Sequence, residues 1–204
     1  MEKASVRAGV IRWAVLAAAV LVLVALDQWT KVLALRHLAG HTSVDVIPGW
    51  IRLTYVENRG AAFGIFQGRS FILGIFSTIA AILIIWLYGR IPVGKDTVLA
   101  RICLILILAG AIGNQLDRLI RTFVVDMIEF YLFSFPVFNV ADMMIVIGGI
   151  LMFVLAFFFP KQLESMIGNK EKKTADKPDA ASEAAPEGAR EAEIQEAGDD
   201  SSHG

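Results

Sequence analysis

The chain has one cysteine, Cys103, and three histidines, His37, His41 and His203, in 204 residues. A lone cysteine excludes an intrachain disulfide framework. Within the apolar run ARICLILILAG it reads as a small buried hydrophobe rather than a reactive thiol. Three scattered histidines exclude an HExxH zinc motif and leave little for a His-rich metal site. A net charge of −1 gives no sign of a nucleic-acid partner, and none is expected. Charge of either sign is scarce: 19% of residues are charged against 56% hydrophobic. The mean hydropathy of +0.61 is too high for a typical soluble domain of this length.

What the chain has in quantity is long apolar runs. A membrane-spanning helix needs about 20 predominantly apolar residues. Four segments qualify, roughly 13–35, 71–88, 98–116 and 140–159. The first is apolar through Leu26 and is then interrupted by DQWTK. Lys3, Arg7 and Arg12 ahead of it also resemble a signal peptide, but no clear small-x-small cleavage site follows, so a retained helix is expected.

Lys and Arg near span ends set orientation. Lys3, Arg7, Arg12, Arg90, Lys95, Arg101, Lys161, Lys170, Lys172 and Lys173 fall on one side, ten in all. Lys31, Arg36, Arg52, Arg59, Arg69, Arg118 and Arg121 fall on the other, seven over longer loops. The bias favours both termini inside. Between spans one and two, about 36–69, VDVIPGWIRLTYVEN has β-branched and aromatic residues around Pro48-Gly49, which predicts a short hairpin or small sheet on the membrane surface. Trp29, Trp50, Tyr55 and Phe66 suit an interfacial belt. Residues 169–204 are rich in Ala, Glu, Asp, Lys and Ser and hold no aromatic residue, so a disordered cytoplasmic tail is expected beyond a membrane domain at 1–168. No internal repeat is visible. The expected fold class is an all-α membrane protein of four transmembrane helices, with a small β-rich external segment and that tail.

The four-span topology puts every unusual polar motif on one face: DQWTK (27–31), ENRGAAFG (57–64), GNQLDR (113–118), VVD (124–126) and FNVAD (138–142). The opposite loop, 89–97, has only ordinary turn and charged residues. Asn114, Asp117 and Arg118 at i, i+3 and i+4 share a helical face. Asn139 and Asp142 do likewise, and Pro136 stops an earlier helix so that Asn139 can cap the next. Each residue also has a plain structural reading. Asn139 can be only that cap, Asp117–Arg118 an interfacial ion pair, and Asp27 a turn cap or the i, i+4 partner of Lys31. Asp142 can be a carboxylate kept wet by the headgroups.

Asp142 precedes seventeen apolar residues, counting Gly. An ionised acid at mid-bilayer costs roughly 2.5–3.5 kcal/mol on insertion scales, so such acids are candidates for function. Asp126, flanked by Val124, Val125, Met127 and Ile128, reads as a loop carboxylate held against the bundle. The connection 117–136 is long enough to fold back and bring it to Asp142. Two apposed carboxylates share a proton. The ionised member can activate a water and the protonated one can protonate a leaving amine. That aspartic-protease chemistry requires no metal, serine or histidine, and no cofactor is expected. Asn and Arg neighbours can bind a substrate backbone or a developing oxyanion.

These motifs, in this order on four spans, resemble the lipoprotein signal peptidase (signal peptidase II) family over about residues 12–160. Any one motif is weak; the ordered set is specific. The resemblance implies a bacterial inner-membrane aspartyl endopeptidase that removes the signal peptide from diacylglyceryl-modified prolipoproteins by cutting before the lipidated cysteine. It implies cytoplasmic termini, an active site near the periplasmic face, membrane lipids as surroundings, and globomycin as an inhibitor. By similarity Asp126 and Asp142 form the catalytic dyad, Asn58, Gly60, Asn114, Arg118 and Asn139 position substrate, and Asp27 and Asp117 support the site. Met127 departs from the aromatic residue, and Met143 from the small one, common after each aspartate. Glu129 is an additional acid.

Three rivals belong to other classes. A transporter relay wants acids at mid-bilayer or on both faces and commonly an inverted repeat. A Mg²⁺ phosphotransferase wants several acids at short, regular helical spacing. A scaffold leaves the polar clustering unexplained.

Overall fold

The computed structural model describes residues 2–60, 70–133 and 135–160. The expected tail at 169–204, residues 61–64 of ENRGAAFG, and Phe66 and Arg69 lie outside the described residues. Four helices carry the apolar runs: α1 (Glu2–His37), α2 (Ser70–Arg90), α3 (Val98–Arg121) and α4 (Val140–Phe158). Each is long and apolar enough to cross a membrane. α1 does not break at DQWTK; the helix runs through it to His37. α3 likewise continues past Leu116 to Arg121 and is stopped by Thr122, which takes the left-handed conformation (φ 68°) usual after a helix end.

α3 is the central element and packs against each of the other three helices. Its contact with α4 is close because glycine faces the partner backbone. A Cβ at Gly110 would collide with the carbonyl oxygen of Ala141 and with Ile145 Cγ1. The bundle end away from the sheet is closed by an apolar cluster that includes Leu16, Tyr88, Ala100, Leu104 and Leu155.

The expected hairpin forms from β1 (Val44–Ile47) and β2 (Ile51–Asn58). Pro48 and Gly49 make its turn: Gly49 has φ +85° and Trp50 N donates to Ile47 O at 2.9 Å, the pattern of a type II turn. The segment expected as a loop over 118–136 is different. Val124–Phe130 is a strand, β3, antiparallel to β2, giving a three-stranded sheet in the order β1-β2-β3. Pro136 therefore follows a strand and turn, not a helix. Val125 and Met127 on one face of β3 pack on Ala34 and Leu38 of α1, seating the sheet on the end of the bundle.

Candidate active site

Under the sheet, α1 and α3 share a buried polar cluster. The Lys31 side chain is fully buried (0% exposed). Its Nζ lies 3.0 Å from Asp27 Oδ2 and 3.1 Å from Asp117 Oδ2, and donates to Asn114 Oδ1 at 2.9 Å. Asp117 also pairs with Arg121 and accepts from the backbone N–H of Val125 at 3.0 Å, tying α3 to β3. Asp27 accepts from the N–H of Ala141 at 3.0 Å, so it satisfies a first-turn amide of α4. Gln28 Nε2 donates to Asp27, Asp117 and the Gly113 carbonyl. Two carboxylates and two cations balance here, which is how ions persist where water is excluded.

Asn139 joins this cluster to the sheet. It is the N-cap of α4 within a reciprocal capping box: its Oδ1 accepts from Asp142 N at 3.0 Å, and Asp142 Oδ2 accepts from Asn139 N at 3.2 Å. Its Nδ2 meanwhile donates to Asp126 Oδ1 at 2.6 Å and to Asn114 Oδ1 at 3.1 Å. Asn114 Nδ2 donates to Asp142 Oδ1 at 2.7 Å, and Asn58 Nδ2 to Asp126 Oδ2 at 2.9 Å. Three asparagine amides thus hold the carboxylates of Asp126 and Asp142. Gly60 N in turn donates to Asn58 Oδ1 at 3.0 Å.

Both carboxylates line one cavity of about 800 Å³ that runs between α2 and α4 with α3 behind it. Around the acids it is polar, with Asn58, Asn114, Arg118 and Ser77; further along it is apolar, with Ile84, Ile107 and Ile145. Arg118 Nη1 reaches Ser77 Oγ at 3.5 Å. Asp126 is 1% exposed. Burial first, and the neighbouring Asp142 carboxylate second, push its carboxyl up to about 7, while the amides of Asn58 and Asn139 act in the opposite direction.

The structure thus brings Asp126, Asp142, Asn58, Gly60, Asn114 and Arg118 to one cavity and puts Asn139 directly behind the two acids. Asp27 and Asp117 lie one layer further back, with Lys31. The Asp27–Lys31 pair forms as one of its readings expected. Asp117 pairs with Lys31 and Arg121; among the described residues it makes no ion pair with Arg118. Strand alternation sorts the rest of β3. Val124, Asp126 and Phe130 face the cavity, whereas Glu129 points away and pairs bidentately with Arg52. Met127, buried against α1, does not touch the cavity; Met143 does.

Lys31 is the residue that sequence reasoning undervalued. It counts there among the charges at the outer end of span one, yet its side chain is fully buried against α3. The signal was present: a lysine one helical turn after an aspartate, within an apolar span. Ser77 and Phe76 of α2 also line the cavity, and nothing in their local sequence marks them.

Four helices long and apolar enough to span a membrane, with two carboxylates facing one cavity, mark a multi-pass membrane protein. The sequence profile described as Signal peptidase (SPase) II matches residues 19–158. A lipoprotein signal peptidase of Fusobacterium nucleatum subsp. nucleatum is 43% identical over 143 residues, covering 70% of this chain and 86% of that protein. One from Geobacillus kaustophilus is 42% identical over 146 residues, covering 71% and 92%. A solved structure described as a bacterial membrane enzyme superimposes with a TM-score of 0.61 at 29% identity, covering 78% of this chain and 93% of that one. The chain belongs to the signal peptidase II family.

Proposed function

We propose that this protein is an aspartyl endopeptidase that removes signal peptides from diacylglyceryl-modified prolipoproteins, cutting before the lipidated cysteine. Asp126 and Asp142 are its dyad. The observation that carries this reading is the pair itself: two carboxylates from separate elements, facing one cavity and bridged by Asn139. Such a pair shares a proton, and burial, which raises the Asp126 carboxyl to about 7, favours the proton there. Asp142 takes a proton from water as the oxygen attacks the scissile carbonyl. The proton on Asp126 goes to the carbonyl oxygen. Collapse of the tetrahedral intermediate breaks the C–N bond, and the cysteine amine leaves with a proton returned by the dyad.

In this reading Asn58, Gly60, Asn114, Arg118 and Asn139 position substrate around the acids, while Asp27 and Asp117 support them. The apolar stretch of the cavity suits a lipid-bearing substrate that enters from the bilayer. The enzyme works in the bacterial inner membrane with both termini cytoplasmic and the dyad near the periplasmic face. The peptidase domain of this reading is residues 1–168.

The test is cleavage of a synthetic prolipopeptide with and without diacylglycerol on its cysteine. Only the lipidated form should be cut, and Asp126→Asn and Asp142→Asn should each abolish cutting in protein that still inserts. Near wild-type turnover in either variant sinks the dyad; equal cleavage of both peptides sinks the substrate class.

A further inference from the structure

We infer that Lys31 is a positioning residue for the reaction, acting on Asp142 through the side chain of Asn114; the inference rests on the aspartyl reading above. Lys31 hydrogen-bonds neither acid of the dyad; its charge reaches Asp126 only through space. Its Nζ donates to Asn114 Oδ1, and Asn114 Nδ2 donates to Asp142 Oδ1. An asparagine amide has one accepting and one donating end, and it can turn over. A cation with no acceptor capacity, held against Oδ1 beside the Asn139 amide, forbids the turned form. The NH₂ end is then always presented to Asp142.

The surroundings leave Lys31 no freedom to do otherwise. Its side chain is 0% exposed, and the carboxylates of Asp27 and Asp117 hold the ammonium from two sides, at 3.0 and 3.1 Å. Asp27 also satisfies Ala141 N, next to Asp142 on α4. The lysine is thereby registered against the same helical turn that carries the acid. A buried ammonium serving only stability could pair with the two carboxylates alone. Its third donor is spent on the side chain whose amide donates to the Asp142 carboxylate.

The test is a double-mutant cycle on the full chain in detergent or nanodiscs, reading kcat and KM with a lipidated peptide. Lys31→Met should lower kcat on the order of 10- to 100-fold, the range for groups that orient reacting side chains, with KM close to wild type. Asn114→Ala should lower kcat similarly, and the double variant should be no worse than Asn114→Ala alone, because Lys31 acts through that amide. Lys31→Met strands two buried carboxylates with Arg121, so the comparison is repeated with Asp27→Asn added, which restores charge balance. In that background Asn114→Ala should again cost nothing further once Lys31 is gone. Wild-type kcat in Lys31→Met, a loss confined to KM, or losses that multiply in both backgrounds would each overturn the inference. Activity retained by Asp126→Asn or Asp142→Asn instead overturns the dyad, whatever the cycle shows.

Discussion

Asp126→Asn should make the protein more stable at alkaline pH while destroying its activity. The Asp126 carboxyl moves from the ordinary value of 3.8 to about 7 on folding. Between those pH values the folded state keeps a proton that the unfolded chain has lost. Stability therefore falls as pH rises through that window, because the folded state binds more protons there. At about 1.4 kcal/mol per pH unit, the loss well above pH 7 is on the order of 4 kcal/mol. Asparagine abolishes the titration but offers one acceptor where the carboxylate offered two. Asn58, half-buried, can turn its amide away; Asn139, at 0% exposure, cannot. That mismatch costs roughly 1 kcal/mol. The net gain at pH 8 is then roughly 2–3 kcal/mol, and at pH 4 it disappears. Unfolding of purified wild-type and Asp126→Asn protein, followed from pH 4 to 8, measures this directly. A wild-type curve flat across the window, or a variant less stable than wild type at pH 8, refutes the burial argument.

Asn139→Ser keeps a hydroxyl cap on α4 but loses the amide that bridges Asp126 and Asn114. It should cost roughly 1–2 kcal/mol of stability, since both acceptors retain other donors. The pH profile of kcat should move upward, because the Asn139 hydrogen bond lowers the Asp126 midpoint; a downward shift contradicts that role. Gly110→Ala places a methyl against the Ala141 carbonyl beside Asp142. Overpacking of this kind costs about 1–3 kcal/mol, and kcat should fall with it; an unchanged unfolding transition shows that α3 and α4 do not approach as closely as described.

The spans and their polar end are legible in the sequence because hydropathy is a property of local runs. The same holds for the hairpin, whose turn chemistry is contained in Ile47–Trp50, and for the cap at Asn139, which depends on a residue three positions away. β3 is not legible in that way. Its hydrogen bonds go to β2, where Val56 pairs with Asp126 about a third of the chain away, and no short window reports such a partner. Reading that segment as a loop also hid the alternation that turns Asp126 toward the cavity and Glu129 toward Arg52.

By itself, the sequence determined that this chain has four spans and that its unusual polar motifs gather at one end. Those conclusions need only composition, helical period and order along the chain. The tertiary structure decided which of these groups face one another: Asp126 and Asp142 around Asn139 at a cavity, and Lys31 behind Asn114, closed off from water. Position along a chain does not specify direction in space. Whether a charge is solvated, paired or aimed at a neighbour depends on side chains contributed by other elements.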